Sequence, residues 1–196
     1  IDNINLTLID CFDHDNGSID LVVKGGTAPF NYNWNTGVTT SSLQNLGPGM
    51  YTVIVMDGNN CKINDTIQIF EPSQITITED SIIHSTCYGE SLGSINITAT
   101  GGVGGFTYAW NNGTNNQDLS NVSSANYEVI VTDANGCLNS AIFFIDQPIP
   151  FLETGIENSV NTCNGDATGS IDFSVVAGNT PPYTYLWSNN ETSASI

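Results

Sequence analysis

Apolar and polar side chains alternate along this chain in short bursts. Tyr51, Val53 and Val55 stand at every second place of YTVIVM, and Tyr127, Val129 and Val131 do the same in YEVIVT. Successive side chains of extended backbone point to opposite sides, so a period of two predicts strands with one buried face. Ile19, Leu21 and Val23 read the same way, as do Ile95, Ile97 and Ala99, and Ile171, Phe173 and Val175. Another predicted strand is aromatic at alternate places: Phe30, Tyr32, Trp34; then Phe106, Tyr108, Trp110; then Tyr183, Tyr185, Trp187. Strand-like runs also cover Ile4 to Ile9 and Ile63 to Phe70, and no stretch shows helical periodicity.

These bursts recur at a fixed distance. Cys11, Cys87 and Cys163 are evenly spaced (87 − 11 and 163 − 87 both give 76), and Cys61 and Cys137 repeat the interval. Self-similarity at one period marks a repeat array. Three units are expected: 1–72, 73–148 and an incomplete 149–196. The third aromatic strand is displaced by one residue (187 − 110 = 77), which places an insertion in the turn at 177–182. Turns at Gly25-Gly26 and Gly101-Gly102 separate the strands, and a connecting loop carries Leu43 and Leu46, matched by Leu119 and Val122. Glu71-Pro72 and Gln147-Pro148 close the units, because proline ends strand pairing. The next unit begins within a few residues, so a semi-rigid string of domains is expected. Six or seven short strands per unit predict an all-β protein of tandem β-sandwich repeats of about 76 residues, with a closed barrel as the alternative. An aromatic ladder can be a sugar platform, but facing a Tyr/Val/Val ladder it is what a sandwich core needs.

Charge narrows the function classes. Lys24 and Lys62 are the only basic residues, and the net charge is −18. Phosphate contacts need Lys and Arg, which excludes nucleic acid and an anionic bilayer as partners. Only 11% of residues are charged, so this is not a disordered acidic tail. A surface of Asn, Thr, Ser and Gly suits an extracellular β protein. There is no transmembrane run or signal peptide, and the sequence reads as a segment of something longer.

The cysteines sit at matched positions, with no C-x-x-C and no His at zinc-ligand spacing. They predict disulfides within units, Cys11 with Cys61 and Cys87 with Cys137, leaving the partner of Cys163 outside the chain. The alternative is two buried free thiols per unit. Asp13-x-Asp15-x-Gly17 begins like a calcium loop, and Asp57-x-Asn59 and Asp133-x-Asn135 recur beside the closing cysteines. Those six residues are the Ca²⁺ candidates, although Gly89 and Ser91 replace the first two acids in the second unit and Asx side chains equally suit turns. No other cofactor is expected. Gly89-Glu90-Ser91-Leu92-Gly93 fits the G-x-S-x-G nucleophile motif. Its context is a turn between strands, Ser91 aligns with Asp15 and Ala167, and the two histidines, His14 and His84, share no repeat position. Turn chemistry is the expectation and no catalytic residue is assigned.

The order of motifs resembles the SprB repeat of long surface proteins in gliding and other Bacteroidota: cysteine, polar turn, Gly-Ser-Ile, Gly-Gly, aromatic-x-Tyr-x-Trp, a Leu loop, Tyr-x-Val-x-Val-x-Asp and a closing cysteine. Units 1 and 2 match throughout and unit 3 matches to Trp187. Phe30 and Phe106 depart from the usual Tyr, and Gly104-Gly105 stands in place of Ala28-Pro29. The resemblance implies immunoglobulin-like or PKD-like units in a filamentous cell-surface adhesin for attachment or gliding motility. It also implies export by the type IX system and partners among external polysaccharides, surface polymers and that system's proteins, with no insertion into the membrane. Asp65-Thr66-Ile67 and Asp80-Ser81-Ile82 look like the O-glycosylation triplet of such bacteria, which makes Thr66 and Ser81 candidate acceptors. A competing reading makes the units spacers or carbohydrate-binding modules of a large secreted enzyme.

Overall fold

A computed structural model of the chain describes residues 1–158, 169–178 and 181–196. Among these the regular structure is all strand. The strands are β1 (Asn3–Thr7), β2 (Gly17–Val22), β3 (Asn31–Trp34), β4 (Ser42–Leu46), β5 (Gly49–Met56), β6 (Lys62–Ile69), β7 (Thr76–Ile83), β8 (Gly93–Thr100), β9 (Thr107–Trp110), β10 (Leu119–Val122), β11 (Ala125–Thr132), β12 (Leu138–Ile145), β13 (Leu152–Asn158) and β14 (Ser170–Ala177). The first six form sheets of order β1-β2-β4 and β3-β5-β6. The next six repeat both orders, as β10-β8-β7 and β12-β11-β9, and β13 pairs with β14. The 76-residue period is thus a period of topology as well as of sequence.

The chain forms two compact units, Ile1–Glu79 with Ile97–Gln117 and Glu128–Ala141, and Asp80–Asn96 with Asp118–Tyr127 and Ile142–Ile196. The first contains a complete sandwich. Ile19 and Leu21 of β2 and Leu43 and Leu46 of β4 share one buried cluster with Trp34 of β3, Val53 and Val55 of β5, and Ile67 and Ile69 of β6. Both sheets are antiparallel and contribute alternate residues to that layer, as immunoglobulin-like sandwiches do. Each fully buried aliphatic side chain contributes about 1.5–3 kcal/mol. Phe30, Tyr32 and Tyr51 pack against the cluster, so the first aromatic ladder is core. The Tyr51 hydroxyl donates to the Gly47 carbonyl at 2.9 Å, a tyrosine corner that fixes the entry to β5. Burial, and secondarily the Asp15 carboxylate, push this phenol's pKa upward.

In the second unit Ile95 of β8 lies opposite Leu119 of β10, both buried. The Tyr127 hydroxyl donates to the Ser123 carbonyl at 2.9 Å and repeats the corner. A Cβ on Gly93 would stand 2.6 Å from Ile145 and 2.8 Å from the Val122 carbonyl, and one on Gly17 would stand 2.8 Å from the Leu46 carbonyl. Close backbone approach therefore explains the glycine of the first two Gly-Ser-Ile triplets. The β13–β14 hairpin carries Phe173, whose ring meets Tyr185 and Trp187 edge-on at 6.1 and 6.2 Å. The insertion expected at 177–182 includes residues 179–180, which lie outside the described residues, as does Cys163.

One expected loop is a strand. Leu43 and Leu46 sit in β4, and Leu119 and Val122 in β10. Leu46 faces Gly17 and Leu43 faces Ile19, so three steps on β4 match two on β2. The extra residue is a β-bulge at Asn45, with φ of 55°, repeated at Asn121 with the same φ. A bulge turns the inward spacing from two to three, which conceals the strand from a period-two reading.

Candidate functional site at the repeat join

The closing turn of each repeat is built around one buried aspartate. Asp57 Oδ1 accepts the backbone N–H groups of Asn59 and Cys61, each at 2.9 Å, and its Oδ2 accepts that of Thr27 at 3.1 Å. Asp133 does the same with Asn135 and Cys137 at 2.9 Å and with Val103 at 3.0 Å. The Asp57 N–H also donates to the Cys61 carbonyl, and that of Asp133 to the Cys137 carbonyl. Each aspartate thus holds the backbone of the closing cysteine at both ends, its carboxylate accepting the cysteine N–H and its own N–H donating to the cysteine carbonyl. Hydrogen bonds from Thr27 and Cys61 hold the Asp57 pKa below the ordinary 3.8, against the opposing effect of burial. At Asp133 burial is the largest single influence and raises the pKa, but bonds from Val103, Cys137, Asn135 and Gly136 together outweigh it and lower the value.

The opening turn is held differently. Asp13 has φ of 59° and its equivalent Gly89 has φ of 75°, a left-handed position that glycine adopts without cost. The Asp13 N–H donates to Glu71 Oε2 at 2.7 Å, and the Gly89 N–H donates to Gln147 Oε1 at 2.9 Å. The residue before each closing proline therefore anchors the loop of its own repeat's opening cysteine. Neither role was read from the sequence, although Glu71 and Gln147 do hold matched positions.

These anchors decide the cysteine pairing. Cys61 immediately precedes β6, and Glu71, which holds the Cys11 loop, follows it. Eight extended residues span about 25 Å, whereas a disulfide needs Cα atoms within about 7 Å. The expected Cys11–Cys61 bond is therefore not formed. Cys11 bonds Cys137 instead, with Cα atoms 5.6 Å apart and 126 residues between them in sequence. The expected Cys87–Cys137 bond is excluded with it, and Cys61 and Cys87 are exposed free thiols. The bond joins the opening cysteine of the first repeat to the closing cysteine of the second. Asn135 Nδ2 donates to the Asp10 carbonyl at 2.9 Å beside it. The intervening connection is pinned by Gly102 N–H to the Ser73 carbonyl at 2.8 Å and Asn139 Nδ2 to the Ile75 carbonyl at 2.7 Å. A cleft of about 420 Å³ lies along the join, lined by Phe12, His14, Gln74 and Leu138 among others.

The six calcium candidates fall into two kinds. Asp57 and Asp133 have their oxygens occupied by backbone N–H groups, while Asn59 Nδ2 donates to Thr27 Oγ1 and Asn135 Nδ2 to Asp10. Asp13 and Asp15 are exposed on the opening turn. Among the described residues the one group of acids, cysteine and histidine at metal-ligand distances is Asp10, Cys11 and His14. Cys11 is consumed by the disulfide, and His14 Nδ1 sits 2.8 Å from Asp10 Oδ1. That hydrogen bond is the main cause of a lowered Asp10 pKa. Ser91 lies in the turn before β8, and the ring of His84 accepts the Asp146 N–H at 3.1 Å. Thr66 on β6 and Ser81 on β7 are both exposed, the latter hydroxyl accepting from Asn96 Nδ2 at 2.8 Å. Among the described residues no helix is long and apolar enough to cross a membrane.

Serial sandwiches joined by a disulfide are the build of an extracellular, cell-surface repeat region. The sequence matches the SprB repeat at residues 4–39, 85–115 and 159–192, just over half of its length, and the chain belongs to the SprB repeat family. No curated protein matches it. Among solved structures it is similar to the crystal structure of Dpr2 Ig1-Ig2 in complex with DIP-Theta Ig1-Ig3. The identity is 9% and the TM-score 0.32, over 98% of this chain and 86% of that one.

Proposed function

We propose that the chain is a stretch of a long filamentous adhesin, exported by the type IX system, whose repeats serve as fibre units in surface attachment and gliding. The repeats follow the sequence period, over 1–72, 73–148 and 149–196. The observation that carries this reading is the bond from Cys11 to Cys137, which bypasses the peptide connection between two repeats. Tension along a fibre favours such a bypass, whereas a spacer needs only reach. External polysaccharide or another surface polymer is the proposed partner, held by many weak contacts that gain strength through avidity. Thr66 and Ser81 are proposed glycan acceptors. Beads coated densely with the chain should be retained on agar or extracellular polysaccharide while the free monomer is not. Equal failure of both would refute the adhesive role.

A second reading, carbohydrate-binding modules of a secreted enzyme, is favoured by one feature. Phe151, Phe173, Tyr183, Tyr185 and Trp187 line a cleft of about 270 Å³ beside Leu186, which is 80% exposed. Tight binding of a soluble oligosaccharide by the monomer, lost on Trp187→Ala, would select it.

A further inference from the structure

The cysteines fall into two classes by repeat position. Cys11, Cys87 and Cys163 open a repeat, and Cys61 and Cys137 close one. The bond that exists joins an opening cysteine to the closing cysteine of the following repeat. The two described thiols left over are one of each class, both exposed. They cannot form the same join with each other, because Cys61 closes the earlier repeat and Cys87 opens the later one.

We infer that Cys61 and Cys87 are the two halves of this same join, each awaiting a neighbouring copy of the repeat, so that an array is cross-linked by overlapping disulfides. Two observations place Cys87 as Cys11 is placed and Cys61 as Cys137 is placed. The aspartate turn that holds the Cys137 backbone is reproduced around Cys61, bond for bond. The side-chain anchor of the Cys11 loop is reproduced at Cys87, with Gln147 in place of Glu71. The two free thiols remain accessible. The partner is therefore another repeat carrying the complementary turn, and not a small ligand or a metal. Each new bond forms as two thiols give up two protons and two electrons to a disulfide oxidant, which leaves as two thiols.

The span of the bond exceeds the period, 126 residues against 76. Successive bonds consequently overlap in sequence, and a backbone break inside the array leaves its two sides covalently joined. This would make the array tolerant of proteolytic nicking, whatever it adheres to.

The test adds one repeat. Inserting a second copy of residues 73–148 after Pro148 keeps the native order and supplies the closing cysteine that Cys87 lacks. The native chain, refolded with oxidised glutathione, should hold one disulfide and, of its five cysteines, three alkylatable thiols. The extended chain should hold two disulfides and still three thiols, with Cys87 bonded to the inserted copy of Cys137. Five thiols in the extended chain, with Cys11–Cys137 intact, would overturn the inference. So would a single thiol, the count expected if each repeat closed on itself. Should the extended chain lose Cys11–Cys137 as well, the native chain decides. On slow oxidation at high concentration, its intermolecular bonds should join Cys61 to Cys87 or Cys163. A product dominated by Cys61–Cys61, or lacking opening-to-closing bonds, refutes the join.

Discussion

Replacing Trp34 by Ala separates a core ladder from a ligand platform. Trp34 is 2% exposed, sits opposite Val53 in the β3–β5 ladder and donates from Nε1 to the Thr40 carbonyl at 2.9 Å. Truncating a buried Trp to Ala costs about 3–5 kcal/mol through lost transfer energy and the cavity left behind. The abandoned Thr40 carbonyl adds about 1 kcal/mol. Against a total stability of about 5–15 kcal/mol, the expected loss of about 4–6 kcal/mol consumes a large part of the margin. With a urea slope of about 1–3 kcal/mol/M, the midpoint should fall by about 2 M in a titration followed by far-UV circular dichroism. Trp34→Phe retains most of the buried ring and should cost less than half as much. Trp110 is 4% exposed and donates to the Asn116 carbonyl at the same distance, so Trp110→Ala should behave alike. A cost below about 1 kcal/mol at either site, with the fold intact, would place that ring outside the core and refute the sandwich argument.

Three further outcomes follow from the join and its turns. Reducing Cys11–Cys137 releases a 126-residue loop, which by loop entropy costs about 5 kcal/mol; a thermal midpoint unchanged by reductant would contradict a bond that constrains the unfolded chain. Because the Asp57 and Asp133 pKa values lie below the ordinary 3.8, their stabilisation should be complete at neutral pH and disappear only as pH falls below that value. In Asp57→Asn/Asp133→Asn that acid-limb loss should shrink, and an unchanged pH profile would refute it. Chelation with EGTA should leave the melting temperature unmoved, since the turn carboxylates already bind backbone N–H groups; a drop of several degrees would put a structural cation back at these turns.

Much of the fold is legible along the chain because half-buried strands write their register into a period of two. Ile19, Leu21, Val53 and Val55 face inward as their spacing requires. The strand holding Leu43 and Leu46 escapes because a bulge shifts its inward positions by one, a feature that only the matched Asn45 and Asn121 could have suggested. The cysteine partners escape for a different reason. A period fixes which positions are equivalent, but pairing residue n with n + 50 or with n + 126 satisfies the same period equally well. What chooses between them is three-dimensional: the length of β6 and the far-end anchor at Glu71. The Asp-x-Asn pairs, equally suited to calcium and to turns, gain a definite role once their hydrogen bonds are seen.

The central claim, that the opening cysteine of one repeat is bonded to the closing cysteine of the next, can be read from a single digest. Lys24 and Lys62 are the only tryptic sites, so cleavage yields 1–24, 25–62 and 63–196. After alkylation and digestion under denaturing, non-reducing conditions, mass spectrometry should find 1–24 linked to 63–196, with 25–62 released and alkylated at Cys61, and further cleavage before aspartate should place the link in 133–145, which holds Cys137 and no other cysteine. Recovery of 1–24 linked to 25–62 would contradict the claim.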